Sequence, residues 1–207
     1  LRGKRLLPKA MTAAERRKAK EIIQSEPVLL SSMYSSAPTG NVRVPAEFEP
    51  MEGVLVRAAN DETMDEFFGN MIKGIIQAGA IPYLVYANDT DKEEIIQYTL
   101  TPKGIATSQV QWIQNSIDAF WSRDYGPWHV YVDGKRAIVD TKYYPTRTFD
   151  DAISAKLGPL WGDNVYKAHL YTEGGNFMSD GKGTCWTSTG IFEFNNLSPE
   201  QLSTLYA

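Results

Sequence analysis

Apolar and polar positions along this chain switch repeatedly between two periods. Gly53 to Arg57 is a short continuous apolar run, the pattern of a buried strand. From Thr63 to Gln77, Met64, Phe67, Phe68, Met71, Ile72, Ile75 and Ile76 recur at helical spacing, and Gly79 ends that helix. Ile81 to Tyr86 predicts a second strand. Asn88-Asp-Thr-Asp91 predicts an N-cap for a helix running to about Tyr98. Gln109 to Ile113 predicts another strand. Val130 to Val132 and Arg136 to Asp140 flank Asp133-Gly134 and predict a hairpin with a tight turn. A short helix over Asp150 to Leu157, a strand over Val165 to Leu170, and a second hairpin around Asp180-Gly181 follow. Ser198-Pro199 opens a last helix, with Ser198 as N-cap and Pro199 at the first helical position.

Before this alternation the pattern differs. Leu1 to Lys9 is basic and lacks the apolar stretch of a signal peptide. Thr12-Ala-Ala-Glu15 is a capping-box pattern that predicts a helix through about Gln24. Ser31 to Gly40 is rich in Ser and Pro and reads as a linker. The chain thus divides into an N-terminal extension, residues 1–44, and an α/β body, residues 45–207.

Composition narrows the function. The chain has 207 residues, 43% hydrophobic and 22% charged, which fits a folded protein. A net charge of -4 argues against a general nucleic-acid binder, which needs a basic face. No apolar run reaches the roughly 18 residues that span a bilayer. With one Cys and two His in all, no Cys/His spacing supports zinc. Cys185 has no base near it in sequence and reads as a strand residue. His129 and His169 read as structural.

Two segments carry chemistry. In Asp118 to Trp128, Arg123 and Asp124 are adjacent, so in an extended strand they would face opposite ways. A carboxylate among Trp121, Tyr125 and Trp128 suits a planar cation, by bidentate hydrogen bonds and cation–π contact. A structural Arg–Asp pair among core tryptophans accounts for the same residues. In Glu173-Gly-Gly-Asn176, two glycines permit close backbone approach and set Glu173 at a strand end. A glycine bulge beside a solvated Glu is again the alternative. The spacing and the missing helix exclude a phosphate loop.

Three segments in this order, Glu47-Phe-Glu-Pro-Met-Glu-Gly-Val-Leu-Val56, Trp121-Ser-Arg-Asp-Tyr-Gly-Pro127 and Glu173-Gly-Gly-Asn176 with Asp180-Gly181, resemble the family of Porphyromonas-type peptidylarginine deiminases and agmatine deiminases, over about residues 44–200. The resemblance implies the pentein fold, a pseudo-fivefold α/β propeller of ββαβ-type units, of which this chain holds roughly the N-terminal half. It implies hydrolysis of a guanidinium through a Cys thiolate, with no metal and no cofactor. Asp124 matches a catalytic carboxylate of the family, and Trp121 matches a pocket wall. Glu173 matches an active-site carboxylate, and Asn176 goes with it, chiefly as shaping the turn. Arg147 in Tyr143-Tyr-Pro-Thr-Arg147 matches an arginine that grips a substrate's terminal carboxylate. Its companion position is Pro145.

The family's His-x-Asp and its late Cys have no match here, since His129 and His169 come too early and Cys185 falls in a strand. The resemblance therefore implies a second chain or C-terminal fragment bringing His, Asp and Cys, produced by a nick after about Ala207. It implies an arginine-containing peptide or protein as substrate and citrulline as product. A small-guanidine deiminase acting on agmatine, and a non-catalytic binding protein of the same fold, are the other readings. Two N-glycosylation acceptors, Asn88-Asp-Thr90 and Asn196-Leu-Ser198, together with the processed-looking start, lead to the expectation of a secreted protein.

Overall fold

The Thr12 capping box forms. Thr12 N–H donates to Glu15 Oε2 at 2.8 Å and Glu15 N–H donates to Thr12 Oγ1 at 3.2 Å. Two orphan donors at the head of a helix are thereby satisfied, and α1 (Ala13–Ser25) starts there. The structure, a computed structural model, describes residues 7–25, 37–58 and 61–206. Most of the basic start and of the expected Ser/Pro linker lies outside the described residues. By their contacts the residues fall into two units, Leu1–Ala10 with Pro50–Ser122 and Met11–Glu49 with Arg123–Ala207. The helix of the expected N-terminal extension, α1, and the strand β1 (Val42–Arg43) belong to the second unit.

The first unit is a parallel sheet with helical crossovers. β2 (Gly53–Val56), β3 (Ile81–Tyr86) and β4 (Gln111–Gln114) pair in sequence order, with Val56 opposite Leu84 and Val85 opposite Ile113. Parallel neighbours need a long crossover, and α2 (Glu62–Gln77) supplies the first. It begins one residue earlier than its apolar period suggests, because the Asp61 carboxylate accepts from Thr63 N–H at 2.8 Å. The second crossover starts as expected at Asn88, whose side chain accepts from Asp91 N–H at 3.1 Å. It runs through α3 (Asp89–Glu94) into a π-helical stretch, Ile95–Leu100, two residues beyond the expected end. Ile72, Leu84, Val85 and Leu100 are fully buried in this unit. Arg57, just past β2, is also buried. It donates to Asp91 Oδ1 at 2.9 Å and to the Val85 carbonyl at 3.2 Å, while Asp91 Oδ2 accepts from Ala87 N–H. This ion pair ties the ends of β2 and β3 to the head of α3.

The chain passes to the second unit inside a short helical turn, α4 (Ser122–Tyr125). There β5 (Trp128–Val132) and β6 (Lys135–Lys142) form the expected hairpin. Its turn has Asp133 at φ 50° and Gly134 at φ 76°, the left-handed pair that matches strand twist. The crossover back to a parallel neighbour contains two helices where the sequence suggested one, α5 (Thr148–Asp151) and α6 (Ile153–Trp161), meeting at Ala152. β7 (Asn164–Tyr171) then pairs parallel to β6, and β1 pairs antiparallel to β5 on the far edge. Hairpin, helix and parallel strand make one ββαβ unit. The smaller hairpin follows, β8 (Phe177–Ser179) with β9 (Cys185–Thr187). After α7 (Phe192–Asn195), Ser198 and Gln201 exchange capping bonds at the head of α8 (Pro199–Tyr206). Leu170, Ile191, Leu197 and Leu202 pack together beneath. Among the described residues the strands form three sheets of four, three and two strands, and none closes on itself.

Candidate active site

The segment around Asp124 is helical, which corrects the extended conformation expected for it. The turn of α4 is completed before Gly126-Pro127 and leads directly into β5. Successive residues of a helical turn still point different ways, so the two charges separate as expected. Arg123 stays exposed and pairs with Glu47, itself exposed, while Asp124 is 3% exposed. Glu47 opens the first of the three motif segments. The residues just before that segment are held by Ser179, whose hydroxyl donates to the Val44 carbonyl at 3.2 Å.

The Glu-Gly-Gly segment leaves β7 in a single 3-10 turn, Gly174–Asn176. A Cβ on Gly174 would lie 2.4 Å from the Arg123 carbonyl and 3.4 Å from Trp128 Nε1. Only a residue without a side chain lets this turn close on the backbone of α4. That close approach sets the Glu173 turn against the backbone of the helical turn that carries Asp124. Trp128 closes the other flank by stacking on Phe177 at 4.4 Å.

Two tyrosines that the sequence reading passed over complete the cluster. Tyr144 donates its hydroxyl to Glu173 Oε1. Its ring stacks on Tyr143 at 4.3 Å and 17°. Tyr143 meets Tyr125 edge-on at 5.9 Å. The Tyr143 hydroxyl is pushed well above the usual phenol range. Burial is the main cause. Arg147 works the other way, and the negative charges of Asp124, Glu173 and Asp150 add to the rise. Tyr143 thus lies within electrostatic reach of these charges, and its hydroxyl accepts from Arg147. Asp150, like Asp124, is buried. Both tyrosines stand in the segment that ends at Arg147, but nothing local in Tyr143-Tyr144 separates a polar cluster from an ordinary aromatic pair.

Arg147 is 0% exposed. Its Nε donates to Glu15 Oε1 at 3.0 Å and its Nη1 to the Tyr143 hydroxyl at 3.4 Å, and its guanidinium lies 4.9 Å over the Tyr144 ring. The guanidinium is engaged inside the unit, on α1, where the resemblance suggested a grip on a substrate carboxylate. The Thr12-Ala-Ala-Glu15 pattern identified Glu15 as a capping residue only, and its second partner lies 132 positions away.

The other expected residues take separate places. Trp121 belongs to the first unit, stacks on Phe120 at 4.3 Å, and its buried indole N–H has no hydrogen-bond partner among the described residues. Asn176 holds the turn, accepting from Ser188 N–H at 2.9 Å and donating its own N–H to the Glu173 carbonyl. Cys185 is exposed on β9. His129 stacks on Trp161, and burial lowers its pKa; His169 is exposed. Among the described residues no group of three or more His, Cys, Asp or Glu is placed to hold a metal ion, and no helix is long and apolar enough to cross a membrane.

Comparison with known proteins converges on one family. The family model described as Porphyromonas-type peptidyl-arginine deiminase matches residues 43–202. A protein of Photobacterium profundum provisionally named agmatine deiminase is 26% identical over 181 residues, which are 77% of this chain and 47% of that protein. One of Marinomonas sp. with the same provisional name is 26% identical over 178 residues, 76% of this chain and 46% of its own length. The chain thus spans about half the length of the curated relatives it matches. Among solved structures, the agmatine deiminase of Enterococcus faecalis superposes with a TM-score of 0.64 at 22% identity, over 87% of this chain and 52% of that one. A crystal structure provisionally assigned as a peptidyl-arginine deiminase gives 0.66 at 21% identity, over 79% and 52%. At these identities the structural likeness establishes the mixed α/β fold.

Proposed function

Since this chain belongs to the Porphyromonas-type peptidyl-arginine deiminase family, we propose that it takes part in hydrolysing a guanidinium group to a ureido group and ammonia. The observation that carries the proposal is the placement of Asp124 and Glu173 about the Tyr143–Tyr144 pair in the second unit. A guanidinium carbon is a poor electrophile because its charge is delocalised. Carboxylates bonded to its nitrogens fix its orientation and keep it protonated, which favours attack at carbon. In the reaction so read, a thiolate adds to the guanidinium carbon and the carbon–nitrogen bond breaks as ammonia takes a proton and leaves. Water then displaces the sulfur, giving the ureido product and restoring the thiol.

We place the thiolate, a general acid–base His and its Asp outside this chain, in a further segment or second chain that would complete a five-unit α/β propeller. Support comes from the half-length coverage of the relatives and from the position of Cys185, exposed on a short strand.

Of the two substrate classes, agmatine is the first reading. It carries no carboxylate, and Arg147, the residue expected to grip one, is buried on Glu15. The names of the relatives support the same choice. Peptidyl-arginine conversion to citrulline is the second reading, favoured by the description of the matched family. With the full-length protein, ammonia release from agmatine is expected to exceed citrulline formation in arginine peptides by at least about tenfold in kcat/KM. The reverse ratio selects the peptide substrate. Binding of guanidines without turnover of either selects a binding protein.

A further inference from the structure

We infer that Glu15 is a positioning residue for this guanidinium site: by balancing the buried Arg147 it keeps an internal guanidinium from competing with the substrate for Asp124 and Glu173. The inference rests on the reading of Asp124 and Glu173 as substrate carboxylates. It adds a residue from α1, which lies outside the residues 43–202 shared with the family.

Arg147 carries the same planar, multi-donor cation that the site is proposed to bind. It is fully buried, so its charge must be answered by groups within the unit. One answer is Glu15, whose two oxygens have separate tasks. Oε2 accepts from Thr12 N–H and fixes the carboxylate to the head of α1, while Oε1 accepts from Arg147 Nε at 3.0 Å. Burial alone would raise the Glu15 carboxyl, but the Arg147 and Thr12 donors together hold it below its usual range. It therefore meets Arg147 as an anion.

On its other side Arg147 reaches the Tyr143 hydroxyl at 3.4 Å and lies over the Tyr144 ring. Tyr144 in turn donates to Glu173. Tyr143 and Tyr144 stack on each other, so this ring pair links the internal guanidinium to Glu173, one of the carboxylates read as substrate ligands. Without the Glu15 charge, the positive charge of Arg147 falls more heavily on Asp124, Glu173 and Asp150. Any carboxylate it draws in offers less to a substrate guanidinium, because bidentate sites are exclusive.

The test uses the full-length protein and agmatine. Glu15→Gln keeps the volume and removes the charge. It is expected to raise KM about tenfold with kcat within about threefold, the pattern of lost ground-state binding. Glu15→Gln combined with Arg147→Met removes the competitor as well and is expected to return KM to within about threefold of the parent protein. A single variant with unchanged KM overturns the inference. So does a folded double variant as impaired as the single, since a merely structural role is not rescued by a second loss. If the single variant does not fold, recovery of both folding and KM in the double variant supports the inference, and a folded double variant with raised KM overturns it. An unsubstituted protein that neither binds nor turns over guanidines removes the functional reading and this inference together, and is seen before any substitution is made.

Discussion

Asp124→Asn in the full-length protein is expected to lower kcat/KM for its guanidine substrate by about 100- to 1000-fold, ~3–4 kcal/mol of transition-state stabilisation, while leaving the fold intact. The side chain is 3% exposed at the end of α4, so its charge acts through a medium that screens weakly. A charged acceptor facing a guanidinium is worth roughly twice a neutral hydrogen bond, and the amide replaces half of its acceptor capacity with a donor that opposes the substrate's own N–H groups. Asparagine has nearly the same volume, so packing at this buried position is retained, and thermal unfolding should move little. The paired measurement is steady-state ammonia release and the unfolding midpoint of the same preparation. Loss of activity with an unchanged midpoint supports the role. Activity within threefold of the parent protein would remove Asp124 from the site. A fall in midpoint matching the fall in activity would make Asp124 a structural residue, the alternative its sequence context left open.

The parts of this molecule readable in the sequence are those whose causes are local. The helix over α2 follows from seven apolar residues at helical spacing, and the hairpin of β5 and β6 from an Asp-Gly pair that accepts left-handed φ. The caps at Thr12, Asn88 and Ser198 each depend on a side chain reaching a backbone group three residues on. The conformation of α4 was less accessible, since four residues before a Gly-Pro turn are too few to show a period. The site was legible as a set of residue types and not as a set of contacts. Asp124 and Glu173 stood out as carboxylates beside aromatics and glycines. That Arg147 finds Glu15 across 132 residues depends on where α1 docks in the second unit, and nothing in the spacing of either segment encodes it. The same holds for Tyr144, which matters because of where β7 delivers Glu173.

Gly174→Ala should be the most damaging single methyl addition near the site, at about 2–3 kcal/mol of unfolding free energy and roughly 5–10 °C in Tm. The added carbon would lie 2.4 Å from the Arg123 carbonyl, well inside contact distance, and the obstacle is backbone. A flexible side chain could turn aside, but the Arg123 carbonyl is part of the α4 turn, which leads directly into β5. Gly174 does not need a left-handed φ, so the alanine backbone is permitted and the loss is one of space alone. Relief therefore has to come from the turn lifting off α4, and Glu173 moves with it, away from Asp124. Activity should then fall further than stability does, with kcat/KM reduced at least about tenfold at temperatures where the protein is fully folded. Gly74→Ala in α2 is the control, because a methyl there meets nothing within 4 Å and should stabilise the helix by about 0.5–1 kcal/mol. If Gly174→Ala unfolds at the parent temperature, the turn does not close on α4 as described. If it is destabilised yet keeps full kcat/KM in the folded state, Glu173 is not a ligand of the substrate and the site reduces to Asp124 and its aromatic neighbours.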